Sequence, residues 1–240
     1  MLAIQETGPT ALGPALLAAI GMASQGGNGS TVVLCTDGLA NVGLGQFDGI
    51  SSEMLKEVEN FYNKVGEVAK QKGVGVNLIT VEGEDCNIAT LSKVCEQTGG
   101  EVQMVNPANM KENFSALFRK ETLATNVEVK FKLHKGLEFR NEDPASMRDN
   151  KTTLIKNLGN VTEDSEVTFE YRLKPIKELL AMEDIDLSLI TKFPFQAQIT
   201  YTTLDGARCV RVMTNQMDAS DNKEEVNKQA DFNILGVNAI

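Results

Sequence analysis

The sequence predicts an α/β region followed by an all-β region: a doubly wound parallel sheet, then an antiparallel β-sandwich. Two observations predict this. Over the first 120 residues, short runs rich in Val, Leu and Ile alternate with helix-length segments, the pattern of a parallel sheet with helices on both faces. From Thr122 the hydrophobic period switches to two and the helix-length segments cease, the pattern of an antiparallel sandwich. The reading divides the chain into residues 1–120, 121–217 and a polar tail, 218–240, that turns apolar in FNILGVNAI as if opening a helical segment.

Taken in order, Ala11 to Ala23 is apolar almost all round and is expected to be a buried helix. Thr10 is placed to cap it through its hydroxyl, although Gly13-Pro14 also suits a helix start. Gly26 to Gly29 is a loop. Thr31 to Thr36 shows no alternation and is expected to be a strand covered on both faces, burying Cys35. Ser51 or Ser52 caps a helix to Lys72, with Leu55, Val58, Phe61 or Tyr62, Val65, Val68 and Ala69 at helical spacing and Gly73 as its stop. Val74 to Val81 is a second buried strand. Asn87 caps a helix from Ile88 to Gln97, ended by Gly99-Gly100. Glu101 to Val105 is a short strand and Asn109 to Phe118 a last helix.

Beyond Thr122, five alternating stretches are expected to be strands: NVEVKFKLHKGLEFR, TLIKNLGNV, SEVTFEYRLKP, FQAQITYTTLDG and ARCVRVMTN. Asp205-Gly206 predicts a type I′ hairpin turn between the last two. MEDIDLSLI, Met182 to Ile190, has no clear assignment.

Composition narrows the function. Net charge is −10, and the Lys and Arg residues are scattered among Asp and Glu, so no basic patch for nucleic acid emerges. No apolar run reaches the roughly 20 residues of a membrane helix. The four cysteines form no CxxC pair and no zinc spacing, and the first residues lack a signal-peptide pattern, which favours a reduced, cytoplasmic setting. The sequons at Asn28, Asn113, Asn150 and Asn160 carry little weight as chance triplets. His134, the single histidine, lies in an alternating stretch and is expected at a strand surface. With no second histidine, no nucleophile–base pair and no usefully spaced carboxylates, the sequence argues against an enzyme; metal-assisted hydrolysis at Asp37 is the one catalytic reading left.

Asp37 stands at the carboxyl end of the first strand, where ligands of such sheets gather. Two readings of it stay open. Asp-Gly after a strand is a common turn. A carboxylate there also suits Mg²⁺, which takes oxygen ligands in an octahedron. Thr10 offers a hydroxyl on a neighbouring loop, and Glu84 or Asp85 in GEDCN borders the same edge or serves helix 88–97.

ETGPTALGPALLAAI followed by STVVLCTDGLANVGLG resembles the von Willebrand factor A (VWA) domain, over residues 7 to 120. That family holds a cation in three loops: Asp-x-Ser-x-Ser, a Thr before a helix, and an Asp in a Thr-Asp-Gly loop. The resemblance implies that Thr10 and Asp37 are metal ligands for Mg²⁺ or Mn²⁺. The Asp-x-Ser-x-Ser loop has no counterpart here, so the site is complete only if that loop is supplied. It also implies a partial sheet lacking its first strands, one of them central, and a chain that is truncated or borrows strands from a partner. An A domain followed by a β-sandwich further resembles the trunk of the COPII inner-coat subunits, supported by QTGGEVQMV and DGARCVRVMTN, and the circularly permutated Ras proteins.

Two functions follow as expectations. The first is a protein–protein interaction module, with a cation that an acidic side chain of the partner completes. The second is a coat or scaffold component of vesicle traffic, recruited through a small GTPase and independent of metal.

Overall fold

The computed structural model describes residues 8–83, 86–106, 110–182, 192–220 and 222–237. The chain divides into two compact units: Met1–Glu128 with Asn157–Ser165 and Thr200–Cys209, and Val129–Lys156 with Glu166–Ile199 and Val210–Ile240.

The first unit is built on β1 (Thr31–Thr36), β2 (Gly75–Val81) and β3 (Val102–Val105), parallel and in that order. Helices α1 (Leu12–Ala23), α2 (Ser52–Gln71), α3 (Ile88–Thr98) and α4 (Met110–Arg119) alternate with them. Side chains alternate along β2, so Leu78 and Ile79 enter different cores. Leu78 joins Leu16, Ile20, Tyr62 and Val94 on the face covered by α1, α2 and α3. Ile79 joins Val105 and Leu117 on the other, backed by Phe114. The α/β reading of the first half is thus correct, with helices on both faces.

The helix boundaries follow local chemistry. Ser51 caps α2, its hydroxyl accepting from Met54 N–H at 3.3 Å. Val58, Tyr62, Val65 and Ala69 form the buried stripe, while Leu55 and Val68 lie at its exposed flanks. Tyr62, not Phe61, is the fully buried aromatic. Asn87 caps α3 by accepting from Thr90 N–H at 3.3 Å, and Gly99 ends it in the left-handed region at φ 73°.

Three expectations for this unit need correction. Thr10 does not cap α1: Ala11 occupies the cap position and no side chain caps it. Nor is α1 buried all round: Leu12, Gly13, Leu16 and Ile20 are buried, Leu17, Ala19 and Ala23 are partly buried against the core, and Met22 is 77% exposed. Cys35 is exposed rather than buried. It shares a face with Ile79, its register partner, but among the described residues β2 is central and β1 is the edge. A run without alternation looked doubly covered, but an edge position leaves it partly open.

The remaining strands are β4 (Ala124–Leu133), β5 (Leu137–Arg140), β6 (Met147–Arg148), β7 (Thr153–Val161), β8 (Glu170–Leu173), β9 (Lys192–Thr202) and β10 (Arg208–Asp218). They form a five-stranded sheet, β10-β9-β4-β7-β6, and a two-stranded one, β5-β8. Strands β4, β7, β9 and β10 carry residues of both units. Aromatic rings pack together in the second unit. Phe169 lies 4.7 Å from Phe131 and 5.3 Å from the buried Phe139, and Tyr171 lies 5.1 Å from Phe195. SEVTFEYRLKP is regular only over Glu170–Leu173. Most of MEDIDLSLI, from Glu183, lies outside the described residues, as does Asn109. His134 sits just past β4, half-buried, its Nδ1 accepting from Gly136 N–H at 3.2 Å. Burial, and then the neighbouring Lys135 charge, lower its pKa.

The β9–β10 turn also differs from expectation. Gly206 has φ +92°, but Asp205 is not at positive φ, so the turn is not type I′. Gly206 N–H donates to Thr203 O and Thr203 N–H to Ala207 O, the pattern of a three-residue loop ending in a glycine bulge. The tail forms α6 (Lys223–Gln229) and α7 (Phe232–Val237). Among the described residues, no helix is long and apolar enough to cross a membrane.

Candidate functional site at the carboxyl edge of the parallel sheet

β1 ends at Thr36, and its hydroxyl shapes the exit. Thr36 Oγ1 donates to Gly38 O at 3.0 Å and accepts from Gly38 N–H at 3.4 Å. The turn holds Asp37 between them with its side chain exposed. Both features of the Asp37 question are therefore present: it is a turn residue, and it stands at the carboxyl edge. The Cys35 thiol has its pKa raised, first by burial and then by the Asp37 carboxylate. That thiol is held protonated and makes a poor nucleophile.

The loop after Asp37 is pinned. Ala40 and Phe47 are buried, and Phe47 N–H donates to Ala40 O at 2.7 Å. Phe47 stacks on Tyr62 at 5.3 Å, and Tyr62 Oη donates to Gly45 O at 2.9 Å. Burial pushes the Tyr62 phenol up to about 12, so it remains a donor throughout the physiological range. Gly45, at φ +79°, lies against Phe61, where an added Cβ would approach Cε1 to 2.7 Å.

The Thr10 segment is tied to this loop through Asn41. Thr10 N–H donates to Asn41 Oδ1 at 2.6 Å, and Thr10 O accepts from Asn41 N–H at 3.1 Å and Val42 N–H at 3.4 Å. The structure thus joins the Thr10 segment to the loop of Asp37, with both residues exposed. Asn41 is the residue that sequence reasoning missed. It falls in an apolar loop, ANVGLG, with no capping or ligand spacing to mark it; its polarity there was the only signal.

An octahedral cation needs six oxygens. Thr10 offers one hydroxyl and Asp37 one carboxylate, and no group of three or more His, Cys, Asp or Glu converges among the described residues. These two side chains alone do not fit such an ion. Glu84 and Asp85 lie outside the described residues.

The amino edge of the same sheet is built differently. Gly99 lies against Asn160 O, Gly100 against Val76 O, and Gly159, at φ +67°, against the backbone of Thr98, each too close for a Cβ. Asn160 is buried and donates Nδ2–H to Gly73 O at 3.1 Å, so this sequon is unavailable for glycosylation. A polar cavity of about 160 Å³ beside them is bordered by Lys120, paired with Glu101 at 2.5 Å and Asp164 at 3.9 Å. The Glu101 hydrogen bond raises the Lys120 pKa.

Comparison with known proteins agrees with this architecture. Residues 1–127 match the Sec23/Sec24 trunk domain family. Circularly permutated Ras protein 1 of Dictyostelium discoideum is 33% identical over 230 residues, 95% of this chain and 25% of that protein. Protein transport protein sec24 of Schizosaccharomyces pombe is 22% identical over 243 residues, 96% of this chain and 25% of that protein. The chain spans about a quarter of the length of the curated relatives it matches. Among solved structures, the human COPII-coat protein Sec24c superposes with TM-score 0.65 at 16% identity, covering 95% of this chain and 32% of that one. A von Willebrand factor type A protein from Catenulispora acidiphila gives TM-score 0.52 at 16% identity, covering 92% and 50%. At these identities the two structures speak for the fold alone. The chain belongs to the Sec23/Sec24 trunk domain family.

Proposed function

We propose that this chain is a protein-binding trunk of a coat-like scaffold, acting in the cytoplasm and engaging partners through its surfaces rather than by catalysis. The observation that carries this reading is the family match over residues 1–127, followed by two antiparallel sheets. Under it, Asp37 and its pinned loop form a preformed contact surface without a cation. The small GTPase partner belongs to the same proposal.

A second reading is favoured by one observation, the Asn41 bridge between the Thr10 segment and the Asp37 loop. Here Thr10 and Asp37 help hold Mg²⁺ or Mn²⁺ together with ligands from outside the described residues, and an acidic partner side chain completes the shell.

One experiment separates them. The full-length protein is immunoprecipitated from its source cells, with and without EDTA, as wild type and as Asp37→Ala. Coat subunits or a small GTPase recovered equally in EDTA, and equally by Asp37→Ala, support the scaffold reading. Partners lost both in EDTA and in Asp37→Ala establish the cation-dependent one. Recovery of neither class of partner overturns the scaffold proposal.

A further inference from the structure

Strand β10 is open along nearly its whole length. Val210 and Val212 are 65% and 55% exposed on one face, and Met213 and Met217 are 47% and 53% exposed on the other. Among the described residues it pairs with β9 alone. A long exposed edge strand of this kind is a template for another strand.

Its hydrogen-bonding parity can be read from its side chains. Three directly opposed pairs share one antiparallel register. Arg208 Nη1 donates to Thr202 Oγ1 at 3.2 Å, Gln196 Nε2 donates to Thr214 Oγ1 at 3.1 Å, and Lys192 Nζ lies 3.1 Å from Asp218 Oδ1. In the same register, Thr203 N–H donates to Ala207 O at 2.9 Å. Backbone bonds in an antiparallel pair fall on alternate residue pairs. Odd-numbered residues of β10 therefore bond to β9. The even-numbered ones, Arg208 to Asp218, turn their N–H and C=O groups to the free edge, where Gln216 N–H donates to Asn215 Oδ1 at 2.8 Å and must exchange that bond for one to a docked strand.

We infer that a second copy of this chain docks antiparallel on the β10 edge, with the two-fold axis passing beside Met213. The two ends of β10 carry opposite charges, so the strand is complementary to itself; Arg208, which also donates to Asn126 O at 3.1 Å, and Asp218, paired with Lys192, exchange these exposed contacts for each other on docking. Centred on Met213, Arg208 faces the partner's Asp218, Val210 faces the partner's Gln216, and Val212 faces the partner's Thr214. Arg211 faces the partner's Asn215, so no like charges oppose each other. The neighbouring registers with the same backbone parity lose this match. Centring on Val212 sets Arg208 against the partner's Gln216, and centring on Thr214 sets Val210 against the partner's Asp218. Opposed opposite charges favour a register and opposed like charges disfavour it.

The test uses the 240-residue chain in sedimentation velocity, with cysteine cross-linking to read the register. The expected species has twice the 26.1 kDa chain mass. Val212→Pro removes an edge-facing N–H without touching the β9 ladder and is expected to give monomer with an unchanged circular dichroism spectrum. Asp218→Arg sets like charges together and is expected to give monomer as well, and Arg208→Asp with Asp218→Arg restores the dimer. In a Cys35→Ser, Cys209→Ser background, Met213→Cys is expected to form a covalent dimer under mild copper–phenanthroline oxidation, because opposed residues of a non-hydrogen-bonded pair lie about 4.5 Å apart at Cα. Asn215→Cys is expected not to. A wild-type monomer at every concentration, a dimer indifferent to both Val212→Pro and Asp218→Arg, or cross-linking at Asn215→Cys in preference to Met213→Cys overturns the proposal.

Discussion

The two ends of the parallel sheet solve opposite problems. At the amino end, backbone meets backbone: Gly99 and Gly159 lack a Cβ so that the turn after α3 and the 158–160 segment touch directly, and Gly100 lies as closely against Val76 O. At the carboxyl end, side chains do the fastening. Tyr62, Phe47 and Asn41 hold a loop whose outer residues, Asp37 among them, stay in solvent. The difference teaches which end is architecture and which is surface. Close backbone packing leaves no room for a side chain at Gly99, Gly100 or Gly159, whereas a pinned loop presents a side chain in a set place at little ordering cost on binding.

Substitutions sharpen that contrast. The largest effect is expected from Gly99→Ala, which combines a left-handed φ with a backbone clash against Asn160 O. Urea unfolding should show a loss of about 3 kcal/mol or more. Gly38→Ala at the other end meets open space and should stay within about 0.5 kcal/mol of wild type. Equal losses at the two glycines would break the comparison.

Asn160→Ala removes a buried bond to Gly73 O, which keeps Gly29 N–H as a donor, and about 1 kcal/mol should be lost. Asn41→Ala removes a shorter but exposed bond, and about 1 kcal/mol or less is expected. Its clearer sign is local: limited proteolysis near Thr10 should speed up while the global unfolding midpoint barely moves.

The smallest effect concerns Cys35. Burial and the Asp37 carboxylate both raise its pKa, so Asp37→Asn lowers it and increases the thiolate fraction at a given pH. Alkylation of Cys35 at mildly alkaline pH should therefore be faster in Asp37→Asn than in wild type. Cys95, buried and pushed up to about 12, should stay unreactive in both. An unchanged Cys35 rate would mean that the carboxylate points away from β1.

Much of the first unit was legible because local signals agree with one another there. Ser51, Asn87 and the stripe Val58, Tyr62, Val65 and Ala69 mark helices by capping and spacing alone. The Asp37 position was legible from strand polarity. What escaped depends on neighbours distant in sequence. Cys35 is open because β1 is the edge among the described strands, and the outer side of α1 is open because only one side of the helix meets the core; a run of apolar residues carries no record of what lies beside it. Thr10 looked like a cap, but Asn41, 31 residues away, claims its segment through the backbone. The interlock of Gly99 with Gly159 joins segments 60 residues apart, and glycine there reads only as a helix stop and a strand flaw. Asp205-Gly206 misled for a local reason: the same dipeptide serves a type I′ turn or a turn with a glycine bulge, and strand register decides between them.

The most direct measurement is hydrogen–deuterium exchange of the full-length protein, free and in the complex recovered with its partner, in buffer containing EDTA. The account predicts new protection across residues 37–47 on complex formation, and the same slow exchange at Gly100 and Leu78 in both states, since those amides are already bonded to Cys95 O and Glu101 O. Protection that leaves 37–47 unchanged, or that forms only when Mg²⁺ is restored, would contradict it.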